Sequence, residues 1–263
     1  MGVHLTFLGT GTSQGVPVIA CDCEVCSSAD PRDTRLRSSV LFEVDGEDAP
    51  HGPRRFVVDT GPDFRQQMLA NRVTGLDAVL FTHEHKDHVA GLDDIRAFNF
   101  RQKRDMDVYA TARVQEALKR EFKYVFEPHP YPGIPRVRLH EIDDRPFEVG
   151  GVHIVPLPVV HYRLPVLGFR IGKVAYITDA KAFAPETWGR LEGVEVLVIN
   201  ALRKESHLSH FTLDEALEVI ERVGPKSAYL THISHLLGKH RDVAIDLPRG
   251  VELGVDGLKI YAP

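Results

Sequence analysis

The sequence predicts a mixed α/β and α+β fold in which two β-sheets are flanked by helices, within a single domain covering residues 1–263. Three features carry this expectation: short β-branched runs punctuated by Gly, Pro and Asp, fewer amphipathic stretches set between them, and no internal repeat. With 263 residues and 43% hydrophobic content, the chain can bury one large core without disulfide support.

The apolar runs come in order at residues 3–8, 39–44, 55–58, 78–81 and 107–110, then at 152–155, 167–171, 174–177, 196–199, 227–230 and 258–261. Each has the length and composition of a strand. Helices are expected over 63–71, after His88, over 112–125 and, most clearly, after Thr212. There Thr212 and Glu215 form a capping box, Leu213, Ala216, Leu217, Ile220 and Val223 recur at helical spacing, and Gly224-Pro225 stops the helix. Residues 46–54 and 127–136 read as loops; the second carries Pro128, Pro130, Pro132 and Pro135 and is long enough to cover a site.

Composition narrows the function. The chain opens without a basic segment or a long apolar run, and no window approaches the roughly 20 apolar residues of a membrane span. A soluble, cytoplasmic protein without membrane association is expected. A formal charge of −5 offers no general basic field for long nucleic acid, which favours a small substrate. Cys21, Cys23 and Cys26 cannot all pair with one another, and their crowding reads as metal binding. A structural zinc site closes with a fourth ligand, for which His235, three residues beyond His232, is the candidate; such a site would tie down a loop at about residues 20–27.

The strongest chemical signal is Thr82-His83-Glu84-His85-Lys86-Asp87-His88, directly after the run 78–81. In extended chain His83 and His85 project to the same side and can share one metal. Asp87 and His88, one turn onward, can hold a second ion among nitrogen and oxygen donors suited to zinc, manganese or iron. Further ligand types stand at the ends of later apolar runs: His161, Asp179 and His232. Singly each is weak, since one such histidine is commonly structural and one such aspartate commonly forms a turn. Collectively they are residues on rigid supports that can converge on one cleft, as a metal pair roughly 3.5–4 Å apart requires.

These residues resemble the metallo-β-lactamase superfamily. Phe7-Leu8-Gly9-Thr10-Gly11-Thr12-Ser13, the Cys21-x-Cys23-x-x-Cys26 cluster and Asp59-Thr60-Gly61-Pro62-Asp63 extend the resemblance to the branch containing phosphoribosyl cyclic phosphodiesterase, related to ribonuclease Z, over nearly the whole chain from Leu5 to His235. The resemblance implies an αββα four-layer sandwich. It also implies one metal on His83, His85 and His161, a second on Asp87, His88 and His232, and Asp179 bridging them. The implied cofactors are two catalytic divalent ions, manganese or zinc, and one structural zinc on the cysteines and a late histidine.

The reaction expected is hydrolysis of a small phosphodiester, cyclic ribose or nucleotide-like, by a hydroxide activated between two metals, with Asp87 and Asp179 orienting it. His210, just ahead of the helix after Thr212, is the expected proton donor, because an imidazolium and the free amides of a helix N-terminus would together hold a phosphate oxygen. The resemblance points to the same residue, with His207 as its rival. Arg96, Arg101, Lys103, Arg104 and Tyr162 are candidate contacts to phosphate or sugar, while the Gly9–Ser13 loop lacks the lysine of a P-loop and reads as a tight turn. Processing of transfer RNA is the runner-up, disfavoured because no Lys- or Arg-rich arm appears. Acyl or thioester hydrolysis would use the same metals, and a metal-binding scaffold without activity is the non-enzymatic alternative, opposed by the full ligand set. A homodimer is left open.

Overall fold

The computed structural model describes residues 2–45, 52–128 and 131–263. Most of the expected loop at 46–54, and residues 129–130 of the expected loop at 127–136, lie outside the described residues.

Along the chain the strands are β1 (Val3–Gly9), β2 (Ser39–Val44), β3 (Arg54–Val58), β4 (Ala78–Leu80), β5 (Met106–Ala110), β6 (Val137–Glu141), β7 (Phe147–Val149) and β8 (Val152–His161), followed by β9 (Leu164–Ile171), β10 (Val174–Ile177), β11 (Ala182–Phe183), β12 (Val196–Asn200), β13 (Ser227–Thr231), β14 (Val251–Leu253) and β15 (Lys259–Ala262). The helices are α1 (Phe64–Ala70), α2 (Lys86–Val89), α3 (Arg96–Gln102), α4 (Ala112–Glu121), α5 (Pro185–Arg190), α6 (Leu213–Val223) and α7 (His240–Asp246). One sheet has the order β15-β1-β2-β3-β4-β5-β6 and the other β11-β8-β9-β10-β12-β13-β14, with β7 paired to β8.

Strand alternation sorts the core into three apolar layers. Leu5, Phe7, Val40, Phe42, Phe56 and Val58 of the first sheet meet Ile154, Phe169, Ile171, Tyr176, Val196 and Val198 of the second. The intervening residues point outward: Leu41, Val57 and Val79 pack under Phe64, Met68, Ile95, Phe98, Val114 and Leu118 of the helices on that side. Across the molecule, Leu197, Ile199, Ala228 and Leu230 pack under Leu213, Ala216, Val219, Ile220 and Val243. Period-two strands buried on both faces therefore build helix, sheet, sheet and helix, the four layers expected.

The parallel runs β3-β4-β5-β6 and β10-β12-β13-β14 place the carboxyl ends of neighbouring strands on one edge. Loops at such an edge are the usual ligand-binding position of parallel sheets. The helix after Thr212 forms as expected: the Thr212 hydroxyl accepts from Glu215 N, the Glu215 carboxylate accepts from Thr212 N at 2.8 Å, and Gly224 closes the helix in the left-handed conformation. The expected helix 112–125 divides into α4 and a separate 3-10 turn over Lys123–Val125. The described part of the 127–136 loop lies against α3, where Arg136 N donates to Asn99 Oδ1 at 2.9 Å. Among the described residues no helix is long and apolar enough to cross a membrane.

Candidate metal centre and active site

Four of the ligand candidates stand where a strand of one sheet or the other runs out. His83 follows β4, His161 is the last residue of β8, Asp179 follows β10 and His232 follows β13. Asp87 and His88 lie inside α2, which begins at Lys86, so the motif bridges a strand end and a helix turn. The backbone is forced at three of these ends, because Asp59 (φ 64°), Asp179 (φ 56°) and His232 (φ 55°) all adopt left-handed conformations. Such conformations cost on the order of 1–3 kcal/mol each in non-glycine residues and persist where the surroundings over-determine them. Glycine at Gly61 and Gly91 lets the Asp59 segment lie against α2: a Cβ on Gly61 would stand 2.1 Å from the Asp87 carbonyl oxygen, and one on Gly91 2.1 Å from the Gly61 carbonyl oxygen.

Three imidazoles are oriented in the same way. His88 Nδ1 donates to Asp59 Oδ2 at 2.7 Å, His161 Nδ1 donates to the Ser209 carbonyl oxygen at 2.9 Å, and His83 Nδ1 donates to Thr82 Oγ1 at 2.9 Å. Thr82 is free to accept because its own hydroxyl donates to Asp59 Oδ2 at 2.8 Å. Committing Nδ1–H to the protein turns Nε2 of each ring towards the cluster, the orientation of metal-binding histidines. The Nε2 atoms of His83 and His88 are buried and without a hydrogen-bond partner. Orphaned buried nitrogens facing a carboxylate are costly unless something completes them, and a divalent cation does.

Ligand-capable atoms of His83, His88 and Asp179 lie within 4.8 Å of one another, and so do those of His161, Asp179 and His210. The remaining candidates stand one step further out. Asp87 Oδ2 is 3.1 Å from His88 Nε2, His232 Nδ1 is 3.3 Å from Asp179 Oδ2, and the exposed His85 ring stacks edgewise on His83 at 4.6 Å. Asp179 joins the two groups: one oxygen lies 3.3 Å from His88 Nε2 and the other 3.7 Å from His210 Nδ1. The His232 ring is flanked by the hydroxyls of Ser38 at 3.2 Å and Thr12 at 3.3 Å, so the Gly9–Ser13 turn reaches the centre through a side chain.

The electrostatics suit cations. Burial alone would pull His88 down, but the carboxylates of Asp179, Asp87 and Asp59 hold it well above its ordinary value. Burial would push Asp179 up, yet His232 and His88 hold it well below the carboxylate range. Burial and the neighbouring His232 push His210 down to about 2, so it is a neutral imidazole where the sequence suggested an imidazolium. His207 sits behind it, ring centroids 5.0 Å apart, with its Nδ1 accepting from Ser209 N. His210, whose Nδ1 has no partner, is the one that faces the cluster.

The cysteine cluster also forms. Cys21, Cys23 and Cys26 present their sulfurs 3.3, 3.3 and 3.5 Å from His235 Nδ1, a donor set that fits zinc. Backbone amide donation from Cys26, with His235, lowers the Cys23 thiol to about 6. Of the other candidates, Arg104 lies away from the centre: it pairs with Asp77 at 3.1 Å, at the opposite end of β4 from His83, and Arg96 pairs with Asp93. Sequence reasoning gave no role to Asp59, Ser38 or Ser209. Asp59 carried a signal, as a carboxylate directly after the apolar run 55–58, but Ser209 acts through its backbone carbonyl and left none.

The family model for the beta-lactamase superfamily domain matches residues 54–233, and the chain belongs to that superfamily. It is 38% identical to a new diphosphatase from the PhnP family, whose crystal structure superposes with a TM-score of 0.91 over 100% of this chain and 98% of that one. The octanoyltransferase of Porphyromonas gingivalis is 41% identical over 254 residues, but the match takes 96% of this chain and 50% of that protein, so the chain spans about half its length. Ribonuclease Z of a Mycobacterium species is 27% identical over 291 residues, 97% of this chain and 94% of the relative. The fold is that of the superfamily, and the clustered histidines and carboxylates are a donor set that fits divalent metal ions.

Proposed function

We propose that the protein is a phosphodiesterase that uses two divalent ions, manganese or zinc, to cleave a small phosphodiester, cyclic ribose or nucleotide-like, and carries a third, structural zinc on Cys21, Cys23, Cys26 and His235. The observation that supports this most is the set of aligned imidazoles around Asp179, with His210 placed against the same carboxylate. His83, His85 and His161 would hold one ion, Asp87, His88 and His232 the other, and Asp179 both. Divalent ions so held neutralise charge growing on phosphoryl oxygens and bring the pKa of water from 15.7 to about 7.

The protein's part is positioning. Asp87 and Asp179 orient the attacking water by accepting its hydrogen bonds. His210, a neutral imidazole before substrate binds, would hydrogen-bond the phosphoryl group, take up the proton released by the attacking water and pass it to the departing alkoxide. The backbone holds His210 in place, since Phe211 N donates to the Ala180 carbonyl at 2.8 Å, one residue past Asp179. The neighbour's description as a diphosphatase favours a second reading, a P–O–P bond in a small organic diphosphate, which offers the same phosphorus centre to attack.

The test is hydrolysis of bis(p-nitrophenyl) phosphate by chelator-stripped protein before and after adding Mn²⁺ or Zn²⁺, with metal content read by mass spectrometry. Activity should return only with metal. Stoichiometric metal without phosphodiester cleavage would move the substrate class to a diphosphate, an acyl ester or a thioester.

A further inference from the structure

The turn that follows His161 carries an aromatic residue in a conformation it disfavours. His161 pairs with Leu164, so Tyr162 and Arg163 alone connect β8 to β9. Tyr162 has φ 59°, while Arg163 is not among the positive-φ residues. A two-residue hairpin with positive φ at its first position ordinarily takes glycine there. Among the described residues seven that are not glycine have positive φ, and Asp59, Asp179 and His232 among them are at the metal centre. Tyr162 is the fourth at this edge, one residue from a histidine of the cluster. Backbone strain collects where function over-determines it.

No packing role accounts for the tyrosine. Its side chain is half exposed, at 50%, and its hydroxyl has no hydrogen-bond partner among the described residues. The Arg163 guanidinium lies over the ring, 5.1 Å from its centroid, and makes no ion pair among the described residues. A cation over one face of the ring steadies it, and the half-exposed side chain keeps ring surface accessible to a ligand. The turn is fastened to the His210 segment through His161 and the Ser209 carbonyl, so ring and proposed acid are held on one rigid unit.

We propose that Tyr162 is the platform for the part of the substrate that does not react, a planar aromatic base stacked on its accessible ring surface, with Arg163 backing the ring and adding positive charge for an anionic ligand. The substrate class is then a nucleoside phosphodiester, not a base-free sugar phosphate. This inference rests on the phosphodiesterase reading.

The experiment compares kcat/KM of the Mn²⁺-loaded protein for adenosine 2′,3′-cyclic phosphate and for glycerol 1,2-cyclic phosphate, in wild type, Tyr162→Phe, Tyr162→Ala and Tyr162→Gly. Wild type and Tyr162→Phe should prefer the nucleoside; in the alanine and glycine variants that preference should fall about tenfold or more, the worth of one base stacked on an aromatic ring. Tyr162→Gly should also melt higher than wild type, which separates a strained binding residue from a structural one. Equal preference in Tyr162→Ala and wild type overturns the proposal. Calorimetric binding of adenosine 2′-monophosphate against glycerol 2-phosphate makes the same comparison without turnover. If no phosphodiester is cleaved yet the nucleotide binds tighter through Tyr162, the activity assignment fails and the platform stands; if the two bind equally, the platform fails whatever the activity.

Discussion

The two metal-ligating clusters differ in what holds them in place. His83, His88, Asp179 and His232 are 0 to 2% exposed, stand at strand ends of two sheets or, for His88, in the helix turn that follows one, and are tied by Asp59, Thr82, Ser38 and neighbouring backbone. Cys21, Cys23 and Cys26 are partly exposed on a loop without strand or helix, where the bonds gathering the sulfurs are mainly those to His235 and to the loop's own amides. The superfamily match begins at residue 54 and ends at 233, so it contains every catalytic candidate and stops short of both the cysteines and His235. The lesson is that one site is a product of the fold, whereas the other helps to make part of it. Removing metal should leave the first in place and loosen the second.

The largest effect expected is on turnover alone. His210→Ala should lower kcat by about 10²–10⁴, the usual range for losing an acid or base, with all metal retained by mass spectrometry. Wild-type turnover would remove His210 from the chemistry and return attention to His207. The converse change is Cys21→Ser, which should release one zinc per chain and lower the melting temperature by roughly 5–10 °C, as about 2–3 kcal/mol does in a chain of this size, while the catalytic metal stays bound. If both metals are lost together, the clusters are one cooperative unit and the contrast between them fails.

That contrast was only partly legible in the sequence. Both clusters were, because ligand residues at fixed spacing survive without any knowledge of packing, and so were strands whose apolar residues sit side by side, such as β2 and β12. β6 was missed because Val137–Glu141 is an edge strand with no fully buried residue, so its sequence VRLHE has no continuous apolar run. β8 was legible through to Val160 despite Pro156 and Pro158, and the structure adds only His161 to its end, paired with Leu164 of β9. The positive φ of Asp179 and His232 was invisible too, since no glycine stands at either position to mark it.

Asp59 sharpens the account of the buried site. If it aligns His88, Asp59→Asn should weaken catalytic metal binding by about 10–100-fold without changing the cysteine zinc. Unaltered affinity would mean that strand geometry alone aims His88. The proton on His88 gives a related test. Its value lies well above 6.5 in the folded protein, so in metal-stripped protein it contributes stability that is fully present below pH 6.5 and is lost as the pH rises through the raised folded value. A metal ion must expel that proton, and calorimetric titration near pH 7.5 in buffers of different ionisation enthalpy should register release of about one proton per chain. A titration without proton release would place His88 neutral from the outset.

The smallest effect probes the join between scaffold and proposed acid. Thr212 caps α6, and Glu215, which completes the capping box, also accepts from Lys181 Nζ at 2.6 Å, two residues past Asp179. Thr212→Ala should cost about 1 kcal/mol, seen as a fall of roughly 2–4 °C in melting temperature. Because His210 is two residues ahead of the cap while the metal candidates are anchored by strand ends, the same change should reduce kcat a few-fold and leave metal affinity as it was. A matching loss of metal would show that strain reaches Asp179 through Lys181, and the buried centre would then depend on its helices as well as on its sheets.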